Sequence, residues 1–204
     1  TLTATLGGSS VQATLTVSTR ITATELLISE YTEANSFNKY VELYNGTGQV
    51  ADLTQYTVRL YTNGATAVSQ SITLSGTLGD GEALVLCNSQ IDPLLAGNCN
   101  LLTAAVSSVI NFNGDDLVTL ARNGNNVDVI GQSPDPGNGW TVCGVTEGTK
   151  DHVMRRKGNV TSPTTSWATS AGTSTADCQW DLFAATSTQN VLDNNTMGQH
   201  TLTP

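Results

Sequence analysis

The stretch that most constrains the fold is residues 110–132, INFNGDDLVTLARNGNNVDVIGQ. Two apolar runs, residues 117–121 and 127–130, flank the pair Asn123-Gly124. Both residues of an Asn-Gly pair tolerate positive φ, so such a pair between β-rich runs is a strong hairpin signal. The sequence therefore predicts a β-hairpin here, which we place at the centre of the fold.

Short runs with strand character recur along the rest of the chain, separated by turn residues. The other predicted strands are residues 25–31, 39–44, 56–62, 71–74, 82–87, 108–112, 151–157 and 178–183. Residues 92–100 are the only predicted helical turn, with Asp92 as cap and Pro93 in the first position. This spacing of short strands indicates an all-β sandwich or barrel and not a parallel α/β sheet.

Residues 1–18 predict a second, separate hairpin. Apolar residues alternate with threonine before and after the turn at residues 7–9. A lone hairpin is marginally stable in water, so it is expected to pair with the following domain, with an upstream domain or with another copy of the chain. We therefore divide the chain into a hairpin, residues 1–20, and a sandwich domain, residues 25–204.

The composition narrows the class of partner. The formal net charge is −9, which disfavours electrostatic binding to nucleic acid or to an anionic membrane over a broad surface. No apolar run approaches the roughly 18 residues of a membrane span. Only 12% of the residues are charged, which suits a secreted or cell-surface β protein. Because the chain begins without Met or a basic leader region, we expect it to be processed or part of something longer.

The four cysteines predict disulfides. Cys87, Cys99, Cys143 and Cys178 contain no CxxC pair, which argues against a structural zinc site. Three pairings are possible. We favour Cys87–Cys99, which closes a short loop, and Cys143–Cys178, which ties a loop to the penultimate strand. Disulfides imply an oxidising compartment, and the alternative is four buried thiols.

Several segments, in this order, resemble the lamin tail domain family in its bacterial secreted form. They are residues 27–31 (LISEY), 39–45 (KYVELYN), 52–53, 56–58, 81–86, 111–116 (NFNGDD), 127–131 (VDVIG), 151–157 (DHVMRRK), Trp180 and 198–201 (GQHT). The resemblance covers roughly residues 25–201. The first hairpin is similar to the last two strands of a bacterial immunoglobulin-like repeat.

The resemblance implies an immunoglobulin-like β-sandwich that serves as a non-catalytic interaction module, without catalytic residues to carry over. Cys143 and Cys178 depart from the commoner family pattern, which a disulfide would explain. An alternative is an accessory domain of a secreted nuclease or phosphodiesterase whose catalytic part is absent. A weaker alternative is a carbohydrate-binding module that uses Trp140 or Trp167; we favour core roles for these and for Trp180.

One segment offers metal ligands. Asn111, Asn113, Asp115 and Asp116 put four side-chain oxygens around Gly114, and calcium takes oxygen ligands. The chain lacks the glutamate that would complete an EF-hand loop. The favoured interpretation is therefore that these side chains cap a turn by accepting backbone N–H groups, with calcium as the alternative.

Three adjacent cations, Arg155, Arg156 and Lys157, suggest an anion site at first sight. In a strand, however, neighbouring side chains point to opposite faces, so they do not form one patch. We therefore predict that they pair with carboxylates such as Glu42 or Asp128 on neighbouring strands.

Other ionisable residues do not predict a reaction. His152 and His200 are too few for a metallonuclease centre, so structural roles are expected. Glu30, Glu33 and Glu42 could form an acid–base pair, but strand alternation favours an exposed or salt-bridged face. The sequence predicts a protein that is not an enzyme and that binds another protein or further copies of itself.

Overall fold

The computed structural model describes residues 2–13 and 20–204, and for residues 2–6 and 9–13 it describes the backbone alone. The strands are β1 (Leu2–Leu6), β2 (Ser9–Ala13), β3 (Leu27–Glu33), β4 (Lys39–Tyr44), β5 (Ala51–Asp52), β6 (Tyr56–Tyr61), β7 (Gln70–Thr73), β8 (Thr77–Leu78), β9 (Ala83–Cys87), β10 (Leu117–Arg122), β11 (Asn125–Ile130), β12 (His152–Arg156) and β13 (Trp180–Ala184). The α-helices are α1 (Pro93–Ala96), α2 (Ala104–Val109), α3 (Trp167–Ala171) and α4 (Thr188–Asn194), and Leu53–Gln55 and Thr62–Gly64 form short 3-10 helices.

Two antiparallel sheets form the sandwich. The first has five strands in the order β13-β12-β3-β4-β9, and the second has four in the order β11-β10-β6-β7. β5 and β8 form a small separate pair. The sheets do not close into a barrel, so the predicted immunoglobulin-like sandwich is confirmed.

The central hairpin is confirmed. β10 and β11 pair antiparallel through the turn Asn123-Gly124, whose φ angles are 48° and 86°. Positive φ at both positions is the mirror-image turn that matches the twist of the strands. β10 also pairs with β6, so it lies inside the four-stranded sheet. Val118 and Leu120 are fully buried between the two sheets.

The central strands of the five-stranded sheet are buried on both faces. The inner face of this sheet packs against the four-stranded sheet, where Tyr31 stacks on Phe112 with ring centroids 4.6 Å apart. A second apolar cluster covers its outer face, with Leu95 of α1 and Val191 of α4 packed beside Tyr40. Every residue of β3 and β4 is therefore buried, in place of the alternation of a sheet with one face in water.

The helical content exceeds the sequence prediction. α1 begins as predicted, with Asp92 accepting the N–H of Leu94 and Pro93 in the first turn. Residues 108–112 were expected to form a strand, which is wrong, because α2 runs to Val109 and Thr103 caps it. α3 and α4 were also missed. Helices of five to seven residues are too short to show a clear apolar period. Among the described residues, no helix is long and apolar enough to cross a membrane.

Both favoured disulfides are present. Cys87 and Cys99 join the end of β9 to the segment after α1, across a sequence separation of 12. Cys143 and Cys178 join a loop to the residues before β13, across a separation of 35.

The first hairpin is a two-stranded sheet of its own. β1 and β2 pair antiparallel around Gly7-Gly8, at the predicted turn. Within the described part of the chain these two strands pair only with each other. Residues 1 and 14–18 of the predicted hairpin lie outside the described residues, and the domain boundary near residue 20 stays a prediction.

Candidate functional site

An ion pair joins the two sheets in the core. Asp128 lies on β11 and Arg156 on β12, and both side chains are fully buried. The Arg156 Nη2 donates to Asp128 Oδ2 at 2.6 Å. The expected pairing of the 155–157 cations with carboxylates is confirmed for Arg156 with Asp128. It is wrong for Arg155 and Lys157, and within the described residues Glu42 pairs with none of the three. Burial raises the pKa of Asp128, and the charge of Arg156 opposes that rise.

The backbone of Ile28 completes this pair. The pairing of β3 with β12 ends at Glu30. The N–H and C=O of Ile28 on that side are therefore not used in β3–β12 pairing. The Ile28 N–H donates to Asp128 Oδ2 at 2.8 Å, and its carbonyl accepts from Arg156 Nε at 2.9 Å. The guanidinium also lies 4.0 Å over the ring of Trp180. Burying an ion pair costs desolvation energy, and these hydrogen bonds from the Ile28 backbone offset part of that cost.

The other two cations of this run point elsewhere. The guanidinium of Arg155 lies 4.0 Å over the ring of Phe183. Lys157 Nζ donates to the carbonyls of Thr175 and Cys178. The three cations therefore do not form one anion site.

The candidate calcium ligands form a turn that already holds a cation. Asp116 accepts the backbone N–H groups of Asn63 and Asn113, at 2.8 and 3.1 Å. The ammonium of Lys39 donates to Asn113 Oδ1 at 3.0 Å and to the Phe112 carbonyl at 2.7 Å. Asp116 therefore caps the turn as expected, whereas the side chain of Asn113 accepts the Lys39 ammonium in place of a backbone N–H.

The remaining two candidates are not drawn into this network. Asn111 is exposed, and Asp115 Oδ1 is buried without a hydrogen bond. Glu33 Oε1 lies 3.2 Å from Lys39 Nζ and forms an ion pair with the same ammonium. Within the described residues, no group of three or more His, Cys, Asp or Glu side chains is arranged to hold a metal.

Replacing Lys39 by methionine is expected to cost about 2–3 kcal/mol, because Glu33 and two carbonyl oxygens lose a buried donor. Adding a chelator to the unaltered protein should leave the thermal midpoint unchanged. The matched control is Lys150→Met, since that side chain is half-buried and makes no ion pair in the described residues. A lower midpoint on chelation would restore the calcium interpretation.

Glu30 and Glu42 do not lie on the exposed or salt-bridged face that strand alternation predicts. Both are fully buried, because the segment after α4 lies over the outer face of the sheet. Glu30 Oε2 accepts the N–H of Thr196 at 2.9 Å, and Glu30 Oε1 accepts the Tyr40 hydroxyl. Glu42 accepts the N–H of Gly198 at 2.6 Å and the hydroxyl of Ser29 at 2.7 Å. The two carboxyls therefore anchor the C-terminal segment.

Burial raises the pKa of Glu42 to about 8, and the nearby charge of Glu30 adds to the rise. The folded protein thus keeps a proton that the unfolded chain releases near pH 4.5. The contribution of Glu42 to the free energy of unfolding is fully present below pH 4.5 and is lost as the pH rises towards 8. His200 opposes the trend only below pH 6.5, because burial lowers its pKa to about 4.

Between pH 6.5 and 8, the free energy of unfolding is expected to fall by about 1–2 kcal/mol, close to one proton per molecule. In Glu42→Gln that slope should be much smaller, because the amide does not titrate. Urea unfolding at several pH values measures it, with the exposed Glu82→Gln as the control. An equal slope in both variants would contradict the assignment to Glu42.

The two histidines lie in separate settings. The ring of His200 packs edge-on against Tyr44, with centroids 4.8 Å apart, and its Nε2 is buried without a hydrogen bond. His152 Nδ1 contacts the carbonyl of Lys150. Neither imidazole bonds a carboxylate or a hydroxyl within the described residues, so the geometry of a Ser–His–Asp triad is not assembled around them.

All three tryptophans belong to the core, with exposed fractions of 8% for Trp140, 4% for Trp167 and 1% for Trp180. Trp140 and Trp167 meet edge to face with centroids 6.0 Å apart. A glycan platform made of these side chains is therefore wrong, because a sugar ring needs an exposed aromatic face.

Sequence reasoning missed Lys39 as the central residue of the turn. A signal was present: Glu33 and Lys39 lie symmetrically about the connection between β3 and β4, and they are cross-strand partners. Opposite charges at such positions favour a direct pair. No sequence pattern predicts the bond that the Gly198 N–H donates to Glu42, because the two residues are far apart in sequence.

The comparisons with known proteins agree with this architecture. The family model for the Lamin Tail Domain matches residues 19–134, more than half of the chain. Comparisons with curated proteins and with solved structures gave no significant match. The matched part includes the central hairpin and ends before β12 and β13, which complete the five-stranded sheet. The chain therefore belongs to the lamin tail domain family.

Proposed function

We propose that this protein is an extracellular, non-catalytic structural module of the bacterial secreted type, which joins neighbouring copies of itself through its N-terminal hairpin. One observation carries the proposal. β1 and β2 form a separate two-stranded sheet beside a sandwich that has its own core. Because an isolated hairpin is marginal in water, it gains most by adding to another sheet.

The chemistry of the polar residues supports a structural role. Asp128 pairs with Arg156 in the core, and Glu30 and Glu42 hold the C-terminal segment. Lys39 bonds a turn. Each of these groups is engaged by the fold itself. General acid or base groups work instead by contacting a substrate in a cleft.

The disulfides support an extracellular site of action. Disulfides persist in oxidising compartments, and this protein has one in each half of the sandwich domain. The low share of charged residues, 12%, fits the same setting.

Deleting residues 1–18 is expected to convert defined oligomers into monomers, while the sandwich keeps its thermal midpoint within a few degrees. Size-exclusion chromatography with light scattering measures the mass, and circular dichroism checks the fold. Substituting Gly7-Gly8 by Asn-Gly, which keeps a hairpin turn, is the matched control and should still assemble. A monomeric full chain would instead favour a hairpin that completes an upstream immunoglobulin-like repeat.

A further inference from the structure

We infer that the outer edge of β13 accepts a β-strand from the N-terminal hairpin of a second copy of this chain. The inference rests on the proposed self-association and goes further, because it names the acceptor surface. Three features carry it: unused backbone groups, an apolar groove beside them, and the position of the hairpin's attachment.

The backbone groups follow from the pairing of β13 with β12. Ala185 donates to the Asp151 carbonyl, and Lys157 donates to the Gln179 carbonyl, which fixes the odd-numbered residues of β13 as the hydrogen-bonded ones. Leu182 and Ala184 therefore direct their N–H and C=O groups away from the sheet. In the described parts of the chain, no hydrogen bond reaches these four groups.

The other edges of the two sheets are less suited to accept an added strand. Beside β9, the N–H groups of Asn100 and Leu101 donate to Val85, and Cys87 donates to Leu101. At β11, the backbone N–H of Val129 already donates to the side chain of Asp128. β7 is four residues long, and its polar residues are exposed. Short, polar edges resist the addition of a strand.

A groove runs beside the open edge of β13. Its volume is about 280 Å³, and its lining includes Val145, Leu182 and Phe183. Val145 is 39% exposed. The sulfurs of Cys143 and Cys178 lie 3.2 Å from the Trp180 carbonyl, and both Cys143 and Trp180 line the groove. An incoming strand would pair at Leu182 and Ala184 and place alternate side chains against Val145.

The hairpin has the composition of such a strand. The segments LTATL and SSVQA contain no charged residue and no proline. Charges and proline are the usual devices that keep an edge strand from pairing with another chain. β1 also alternates leucine or alanine with threonine, so one of its faces suits an apolar groove.

The attachment of the hairpin fits head-to-tail assembly with a second copy. Arg20, where the described chain resumes, forms an ion pair with Asp80, just before β9. β9 and β13 are opposite edges of the five-stranded sheet. Four strand spacings of about 4.8 Å separate them, roughly 19 Å. A subunit with its donor at one edge and its acceptor at the other assembles head to tail.

The test uses the full chain, and its variant is Val145→Lys. A lysine there would bury a charge in the groove, and the dissociation constant is expected to rise about tenfold or more. The control is Val68→Lys, at a valine of similar exposure, 42%, in the connection before β7. Sedimentation velocity measures assembly. Hydrogen exchange should show the amides of Leu182 and Ala184 protected in the assembled chain and exposed in the chain lacking residues 1–18.

The outcomes separate this inference from the proposed function. A monomeric full chain with both amides exposed overturns both. Assembly that needs the hairpin, but is unaffected by Val145→Lys and leaves both amides unprotected, overturns the acceptor alone. Protection of both amides in a chain that stays monomeric also overturns it, because the hairpin would then pair with its own domain.

Discussion

Replacing Arg156 by methionine is expected to destabilise the protein by about 3–5 kcal/mol, because it breaks a buried ion pair. Asp128 would then be buried without its cation, and the carbonyl of Ile28 would lose its donor. The stacking contact with Trp180 would also be lost. Urea unfolding near neutral pH measures the loss.

Two further variants show whether the effect belongs to the pair. The double variant Asp128→Leu with Arg156→Met leaves no buried charge unpaired. Its loss of unfolding free energy should therefore be smaller than the sum of the losses of the two single variants. Arg59→Met, which removes an exposed bond to Asn126, should cost less than about 1 kcal/mol. A cost for Arg156→Met that is no larger than for Arg59→Met would contradict the buried pair.

Reducing the Cys143–Cys178 disulfide is expected to lower the free energy of unfolding by about 3–4 kcal/mol, and reducing Cys87–Cys99 by about 1 kcal/mol less. The difference follows from the separations of 35 and 12 residues, because the longer closure removes more entropy from the unfolded chain.

Each bond is best measured in a variant that keeps only that bond. In Cys87→Ala with Cys99→Ala, unfolding with and without reductant gives the contribution of Cys143–Cys178, and the reciprocal variant gives the other. The comparison within one variant cancels the packing change at the substituted sites. Equal contributions, or the reverse order, would contradict the entropic explanation.

Strand and turn signals predicted most of the sandwich. The pair Asn123-Gly124 gave the central hairpin, and the segment 39–44 matches β4 at both ends. The outer face of the five-stranded sheet was not predictable in the same way. Glu30 and Glu42 have the spacing of solvent-facing residues, and only the distant segment at Thr196 and Gly198 makes them buried.

The polar sites show the same division between local and distant information. The turn at Asn113 and Asp116 could be predicted from the sequence, because side chains of this type cap nearby N–H groups. The ammonium of Lys39 comes from a different strand and is placed there by sheet pairing. The pair of Asp128 with Arg156 could be proposed, but its link to Ile28 depends on where the β3 ladder ends.

The central claim, that the first hairpin is stabilised by a neighbouring copy, is tested most directly by hydrogen exchange of that hairpin over a range of protein concentrations. The amides of Leu2–Leu6 and Ser9–Ala13 are expected to exchange rapidly when the protein is dilute and to become protected as copies associate. Exchange that is equally rapid, or equally slow, at every concentration would contradict the claim.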